Sequence, residues 1–274
     1  MSQKLPADYH LHTHNSGDST APMKGMIESA IDKCLSEICF TEHMDLDFPV
    51  MKEVAPDTFT LDINSYREEL FRFKEEYKNK IIIKYGIELG LQTQIIDQNK
   101  SLIKSHDFDF VIGSIHLVDK KDPFYPYLWD GQEEEAVVKR YFELALENVK
   151  HFNDYDVLGH LDYIVRYLPS KRPFNSYEKY KEIIDEILRI VVRDDKGLDF
   201  NSKSLFYGGT EPNPSIDILK RYKEIGGRII TFGSDAHKPD GIAGSFDKAI
   251  EIAKGCGFTE YYTFNKRVPT SHKL

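Results

Sequence analysis

The sequence is short of cysteine, of long apolar runs and of positive charge. Cys34, Cys39 and Cys256 are the only cysteines; they show no CxxC spacing and cannot all pair, so neither a disulfide scaffold nor a thiolate metal site is expected. Cys39 lies in an apolar stretch and reads as a small buried residue. No apolar run approaches the roughly 18 residues of a membrane span. Met1 to Asp8 lacks the basic and apolar regions of a signal peptide, so a reduced cytoplasmic setting is expected. Thirty-six basic residues against 45 acidic ones leave a net charge of −9, with no Lys/Arg stripe to follow a phosphate backbone. Nucleic acid and membrane are therefore not expected as partners, an oligomer is neither indicated nor excluded, and a small anion held by metal stays compatible. Gly86-Ile-Glu-Leu-Gly90 lacks the GxGxxG spacing, which disfavours a doubly wound nucleotide fold. No repeat or Pro/Gly/Ser linker divides the 274 residues, and 1–274 reads as a single domain.

What is present is alternation. Short apolar or β-branched runs predict strands at Ala7–His12, Glu37–Thr41, Ile81–Leu89, Phe108–His116, Val157–His160, Leu198–Asn201, Arg228–Ser234 and Tyr261–Phe264. Between them, helical spacing predicts Lys24–Ser36, Ser65–Lys78, Gln94–Ser105, Glu133–His151, Ser176–Asp194, Ser215–Ile225 and Phe246–Gly255. Ser65-Tyr-Arg-Glu68 has capping-box form, and Gly226 and Gly255 sit where helix C-caps belong. Seven or eight βα units imply a parallel sheet closed into a barrel, whose chemistry gathers at the C-terminal ends of its strands.

The histidines fall at those ends. An HxH pair such as His10-Leu-His12 means little alone, since about 0.4 such pairs arise by chance from ten histidines in this length. On a strand, however, residues i and i+2 share a face and can reach one ion. Further strand ends carry Glu42-His43, Glu88, His116, His160 within Gly-His-Leu-Asp162, and Asp235 with His237. Histidines and carboxylates gathered in an interior are costly unless paired or metal-bound. Imidazole and carboxylate without thiolate suit Zn, Mn or Fe rather than Ca. The donors are too many for one tetrahedral ion, and a shared carboxylate is the multi-metal arrangement of phosphoryl hydrolysis.

The HxH, TEH, GxE, SIH, GHLD and SDAH motifs, in this order from Asp8 to His237, resemble the polymerase-and-histidinol-phosphatase (PHP) superfamily. Ser114-Ile-His-Leu-Val, Phe124-Tyr-Pro-Tyr-Leu-Trp129 and Gly159-His-Leu-Asp-Tyr, with Arg166 following, are similar to its histidinol-phosphatase branch. The resemblance implies a distorted, TIM-like (β/α)7 barrel with three divalent transition-metal ions. It assigns His10, His12, Glu88 and Asp235 to one ion, and Glu88, His116 and His160 to a second. The third would take His43, His237 and the residue eight after His10. That residue is Asp18, where many members have histidine; His14 is the competing candidate. The resemblance further implies a phosphomonoesterase cleaving L-histidinol phosphate through a metal-bridging hydroxide, with Glu88, Asp235 and His237 as its catalytic core. The alternative is a PHP phosphoesterase acting on nucleotides or another small phosphomonoester.

Substrate contacts are less defined. The family arginine after the sixth strand is replaced by Phe206 in Asn201-Ser-Lys-Ser-Leu-Phe206, so Lys203 or Arg166 would take the anion. Ser202 follows the same strand and is a further candidate contact. Glu42 reads as orienting a neighbouring ligand or water, and Asp162 either as a partner of His160 or as an ordinary loop acid. Phe124–Trp129 reads either as a lid or as an apolar loop packed on the barrel. A metallo-amidohydrolase would want a carboxylated lysine, and Glu88 stands in its place. A non-catalytic metal binder would show lost ligands, and only position 18 departs from the pattern.

Overall fold

A computed structural model describes residues 7–52 and 54–274. Seven strands lie side by side in chain order and are all parallel: β1 (Asp8–Leu11), β2 (Glu37–Met44), β3 (Ile82–Gly90), β4 (Phe110–Ser114), β5 (Val157–Leu158), β6 (Gly197–Asn201) and β7 (Ile230–Gly233). Helices α1 (Met23–Asp32), α2 (Ile63–Glu76), α3 (Ile96–Ser105), α4 (Glu134–His151) and α5 (Ser176–Arg193) make the first crossovers. A four-residue turn of helix, α6 (Lys203–Phe206), and α7 (Ile216–Glu224) link β6 to β7, and α8 (Phe246–Gly255) follows β7. Parallel strands buried on both faces read as near-continuous apolar runs, as in Phe110-Val-Ile-Gly-Ser114.

The barrel closes through its own functional motifs. β1 and β7 share no ladder, but just beyond β7 the Asp235 N–H donates to the His10 carbonyl (2.8 Å) and the His12 N–H to the Ala236 carbonyl (3.0 Å). The buried Asp8 carboxylate staples the same seam, accepting the Ser234 and Ala243 N–H groups at 2.9 Å each. Register then levels the site: Glu37 to Met44 pair without interruption against Ile82 to Leu89, which sets His43 opposite Glu88. Gly86 sits within that ladder because a Cβ there would lie 2.6 Å from Cys39 Sγ and 2.8 Å from the Phe40 carbonyl.

The eighth predicted strand is not a barrel strand. It is the first arm, β8 (Glu260–Asn265), of an antiparallel hairpin whose second arm, β9 (Val268–Lys273), has a polar, exposed sequence carrying Pro269 and no apolar alternation to mark it. The hairpin closes the N-terminal mouth of the barrel. Phe264 packs on Phe110 (centroids 5.0 Å apart), and its N–H donates to the Tyr9 hydroxyl. Arg267 reaches Asp154 and Asp156. Two end signals also differ. Asp62, accepting the Ser65 N–H, caps α2, so no capping box forms at Ser65. After α8, the left-handed residue is Gly257 rather than Gly255.

Since Phe264 fills the mouth beneath Tyr9 and Phe110, Phe264→Ala should cost about 3–5 kcal/mol and lower the thermal midpoint by roughly 10 °C. Calorimetry would read it, and a midpoint within a degree or two of wild type would contradict the plug assignment.

Candidate metal centre

Glu88, near the end of β3, is wholly buried, and its two oxygens face different imidazoles. Oε1 lies 3.0 Å from His160 Nε2 and 3.2 Å from His116 Nε2, and accepts the Ser114 hydroxyl at 2.6 Å. Oε2 lies 3.1 Å from His10 Nε2, 3.0 Å from His43 Nδ1 and 3.5 Å from His12 Nε2. A carboxylate that divides imidazoles between its oxygens can bridge ions. Burial alone would raise the Glu88 carboxyl, yet His10, His116 and His43 hold it well below the ordinary range.

The outer nitrogens are held from behind. His10 Nδ1 meets Asp199 Oδ2 and His116 Nδ1 meets Asp45 Oδ1, both at 2.8 Å. His12 Nδ1 lies 3.1 Å from the Ser16 hydroxyl, which donates to Glu42 Oε2 at 2.5 Å and so must accept from His12. Ser16 thereby puts the proton on Nδ1 and leaves His12 Nε2 with a bare lone pair. Burial, then the neighbouring His43, His237 and His10, push this imidazole well below its usual pKa and keep it neutral. Burial likewise pushes His160 down to about 4.

His12 Nε2 tests the fit of a metal. It is buried without a hydrogen-bond partner, yet points at Glu88 Oε2 (3.5 Å) and Asp235 Oδ1 (3.6 Å). A lone pair facing two carboxylates is uncompensated unless a cation stands between them. Donor atoms converge in matching groups: His10, His12 and Glu88; Glu88, His116 and His160; His10, His160 and Asp235; His12, His43 and His237; and His43, Asp45 and His116. Imidazole and carboxylate donors in this number fit divalent transition metals.

Of the two candidates at the rim, Asp18 is the one near the cluster, its Oδ2 lying 3.0 Å from His237 Nε2 and 3.6 Å from His43 Nε2. His14 turns away to Glu69, at 3.4 Å. Arg166 and Lys203 both reach Asp235, at 3.0 and 2.9 Å, and line a cavity of about 250 Å³ above the cluster. Ser202 is not brought there: it is buried and its hydroxyl donates to the Gly244 carbonyl at 2.7 Å, so it does not offer that hydroxyl to the cavity. Phe206 lies against Gly244 rather than in the cavity. Glu42 accepts from Thr13 and Ser16, consistent with orienting rather than ligating. Asp162 takes the Asn213 amide and the Ser215 N–H, not His160. Within Phe124–Trp129, Phe124 and Tyr125 line the cavity while Leu128 and Trp129 are buried.

Sequence reasoning missed Asp199, Asp45, Asn201, Asn213 and Asp122. Asp199 and Asn201 carried a signal: two polar residues at i and i+2 of an apolar strand share a face. Asp122 lines the cavity, accepts the Phe124 N–H at 2.8 Å and pairs with no basic side chain among the described residues. Burial raises its carboxyl above the usual range.

The family model for the PHP domain matches residues 8–203. The histidinol-phosphatase of Lactococcus lactis is 36% identical over 266 residues, covering 94% of each chain. A probable histidinol-phosphatase of Clostridium acetobutylicum is 34% identical, covering 95% of this chain and 97% of its own. Among solved structures, histidinol phosphate phosphatase from Lactococcus lactis, complexed with zinc, L-histidinol and phosphate, superposes with a TM-score of 0.86 at 33% identity, covering 97% and 99% of the two chains.

If Asp199 orients His10, Asp199→Ala should weaken zinc binding by about 10- to 100-fold. Competition against a chromophoric chelator measures this, and unchanged affinity would mean that the Asp199–His10 contact is incidental.

Proposed function

The chain belongs to the PHP domain family, and on that premise we propose that it is a metal-dependent phosphomonoesterase hydrolysing L-histidinol phosphate to L-histidinol and phosphate. One observation carries this reading: a single cavity joins the histidine–carboxylate cluster, two cationic side chains and an aromatic wall with the Asp122 carboxylate. The relative crystallised with zinc, L-histidinol and phosphate supports the same substrate.

In this reading three divalent ions, of zinc, manganese or iron, are held as three sets. His10, His12, Glu88 and Asp235 form one; Glu88, His116 and His160 form the second; Asp18, His43 and His237 form the third. Bound there, the ions supply Lewis acidity towards phosphoryl oxygens and lower the pKa of water. The chain's own residues do the rest. Arg166 offers a planar fork and Lys203 a point charge to the phosphate, on either side of Asp235. Asp122 meets the ammonium of the leaving alcohol, whose imidazole ring lies among Phe48, Phe59 and Phe124. The aromatic side chains of the cavity wall also limit water around the reacting group. As one PHP-type domain over residues 1–274, the chain would serve histidine biosynthesis in the cytoplasm. The biosynthetic role is supported by the names of its relatives; among the described residues, no helix is long and apolar enough to cross a membrane.

L-Histidinol phosphate should exceed a generic aryl phosphate in kcat/KM by at least about 100-fold. Comparable rates would reduce the reading to a phosphatase of another substrate. Elemental analysis of the reconstituted chain should find three ions, and Glu88→Ala should lose at least one together with hydrolysis. Full metal content and near-normal turnover in that variant would refute a bridging role for Glu88. Asp122→Asn should raise KM by about tenfold or more through loss of a charge-assisted contact; no change would place the ammonium elsewhere.

A further inference from the structure

The Arg166 guanidinium is held chiefly by neutral groups. Its Nε–H donates to Asn213 Oδ1 and one Nη2–H to Asn201 Oδ1, both at 2.8 Å, while an Nη1–H reaches Asp235 Oδ2 at 3.0 Å. A guanidinium has five N–H donors, so one on each terminal nitrogen has no partner among the described residues. The side chain lies on the cavity wall, in cation–π contact with Tyr163.

The two asparagines are set as a pair. An antiparallel bridge joins their backbones, Asn201 N–H to the Asn213 carbonyl (2.9 Å) and Asn213 N–H to the Asn201 carbonyl (3.0 Å). Each amide also has its orientation fixed from behind. Asn213 Nδ2 donates to Asp162 Oδ1 at 2.7 Å, and Asn201 Nδ2 to Asp235 Oδ2 at 3.2 Å. Asp162 in turn accepts the Ser215 N–H at 2.9 Å. The acid is thus one amide removed from the arginine.

We infer that Asn213, oriented by Asp162, is a positioning residue for phosphate: with Asn201 it grips one edge of Arg166 through neutral oxygens and leaves one N–H on each terminal nitrogen for the substrate. A carboxylate at position 213 would hold the arginine equally well. It would also put a second negative charge beside it, and the phosphate would then compete with that charge. This inference rests on the reading of Arg166 as a phosphate contact.

The test measures inhibition of the metal-loaded enzyme by inorganic phosphate, with zinc content, thermal midpoint, KM and kcat recorded alongside. Asn213→Ala should raise the phosphate inhibition constant and KM about tenfold, with zinc content unchanged. In an Arg166→Ala background it should add nothing, because it acts through the arginine. The exchanged pair Asp162→Asn with Asn213→Asp guards against a misfolded single variant, since it keeps the hydrogen bonds and the total charge. It should keep the thermal midpoint yet still lose about tenfold in phosphate affinity. Wild-type affinity in the exchanged pair, or an undiminished effect of Asn213→Ala without Arg166, overturns the inference. An Arg166→Ala variant that binds phosphate normally overturns the reading beneath it as well.

Discussion

A charged carboxylate with no access to water lies at the centre of this molecule. Glu88 can stay ionised in the barrel interior only because imidazoles converge on both its oxygens. That need explains why the strands end where they do. The β2–β3 register sets His43 level with Glu88, and β4 and β5 release His116 and His160 two residues beyond their last paired positions. The seam between the first and last strands is sewn by the backbones of His10, His12, Asp235 and Ala236. Closure of the barrel and assembly of the cluster are therefore one event, and a change that opens the seam also scatters the donors.

The same economy has a cost without metal. His12 must remain neutral, its bare nitrogen facing two carboxylates, while His12 and His43 stack with centroids 4.1 Å apart. Ser16, Asp199 and Asp45 hold the rings of His12, His10 and His116 from outside, which restricts relief by ring rotation. A cluster prearranged in this way gives up little conformational entropy when it captures a cation, and ligand binding to the folded state alone adds directly to stability. In such a site, fold stability and metal affinity rise and fall together.

Much of this was legible in the sequence, unevenly. The alternation of apolar runs with helical patterns marked all seven barrel strands, because parallel strands buried on both faces leave strong apolar signals. The C-terminal hairpin was not legible as such, since β9 is exposed and polar and the hairpin's apolar contacts with the barrel come from Tyr261, Tyr262 and Phe264 on its first arm. The cluster was visible because chemistry needs His, Glu and Asp at strand ends, and the structure gathers the residues read there. What sequence could not rank was pairing across the barrel. Nothing in Leu198-Asp-Phe-Asn201 says that Asp199 meets His10, 189 residues away, and nothing in Ser202 says that its hydroxyl turns to Gly244. Such partners are set by which strands become neighbours on closure.

Phe206, at the position where the resemblance implies an arginine, follows the same geometry. Phe206 ends the short α6 and covers the Gly244 backbone, outside the cavity, whereas Lys203 in the first turn of α6 reaches Asp235 and His237. A lysine at this depth gives a single compact charge without the second prong of a guanidinium. On the proposed reading, the directional grip on phosphate then falls to Arg166 alone. That raises the demand on whatever aims Arg166, and the paired amides of Asn201 and Asn213 meet it: they fix the plane of the guanidinium without adding to the negative charge around it.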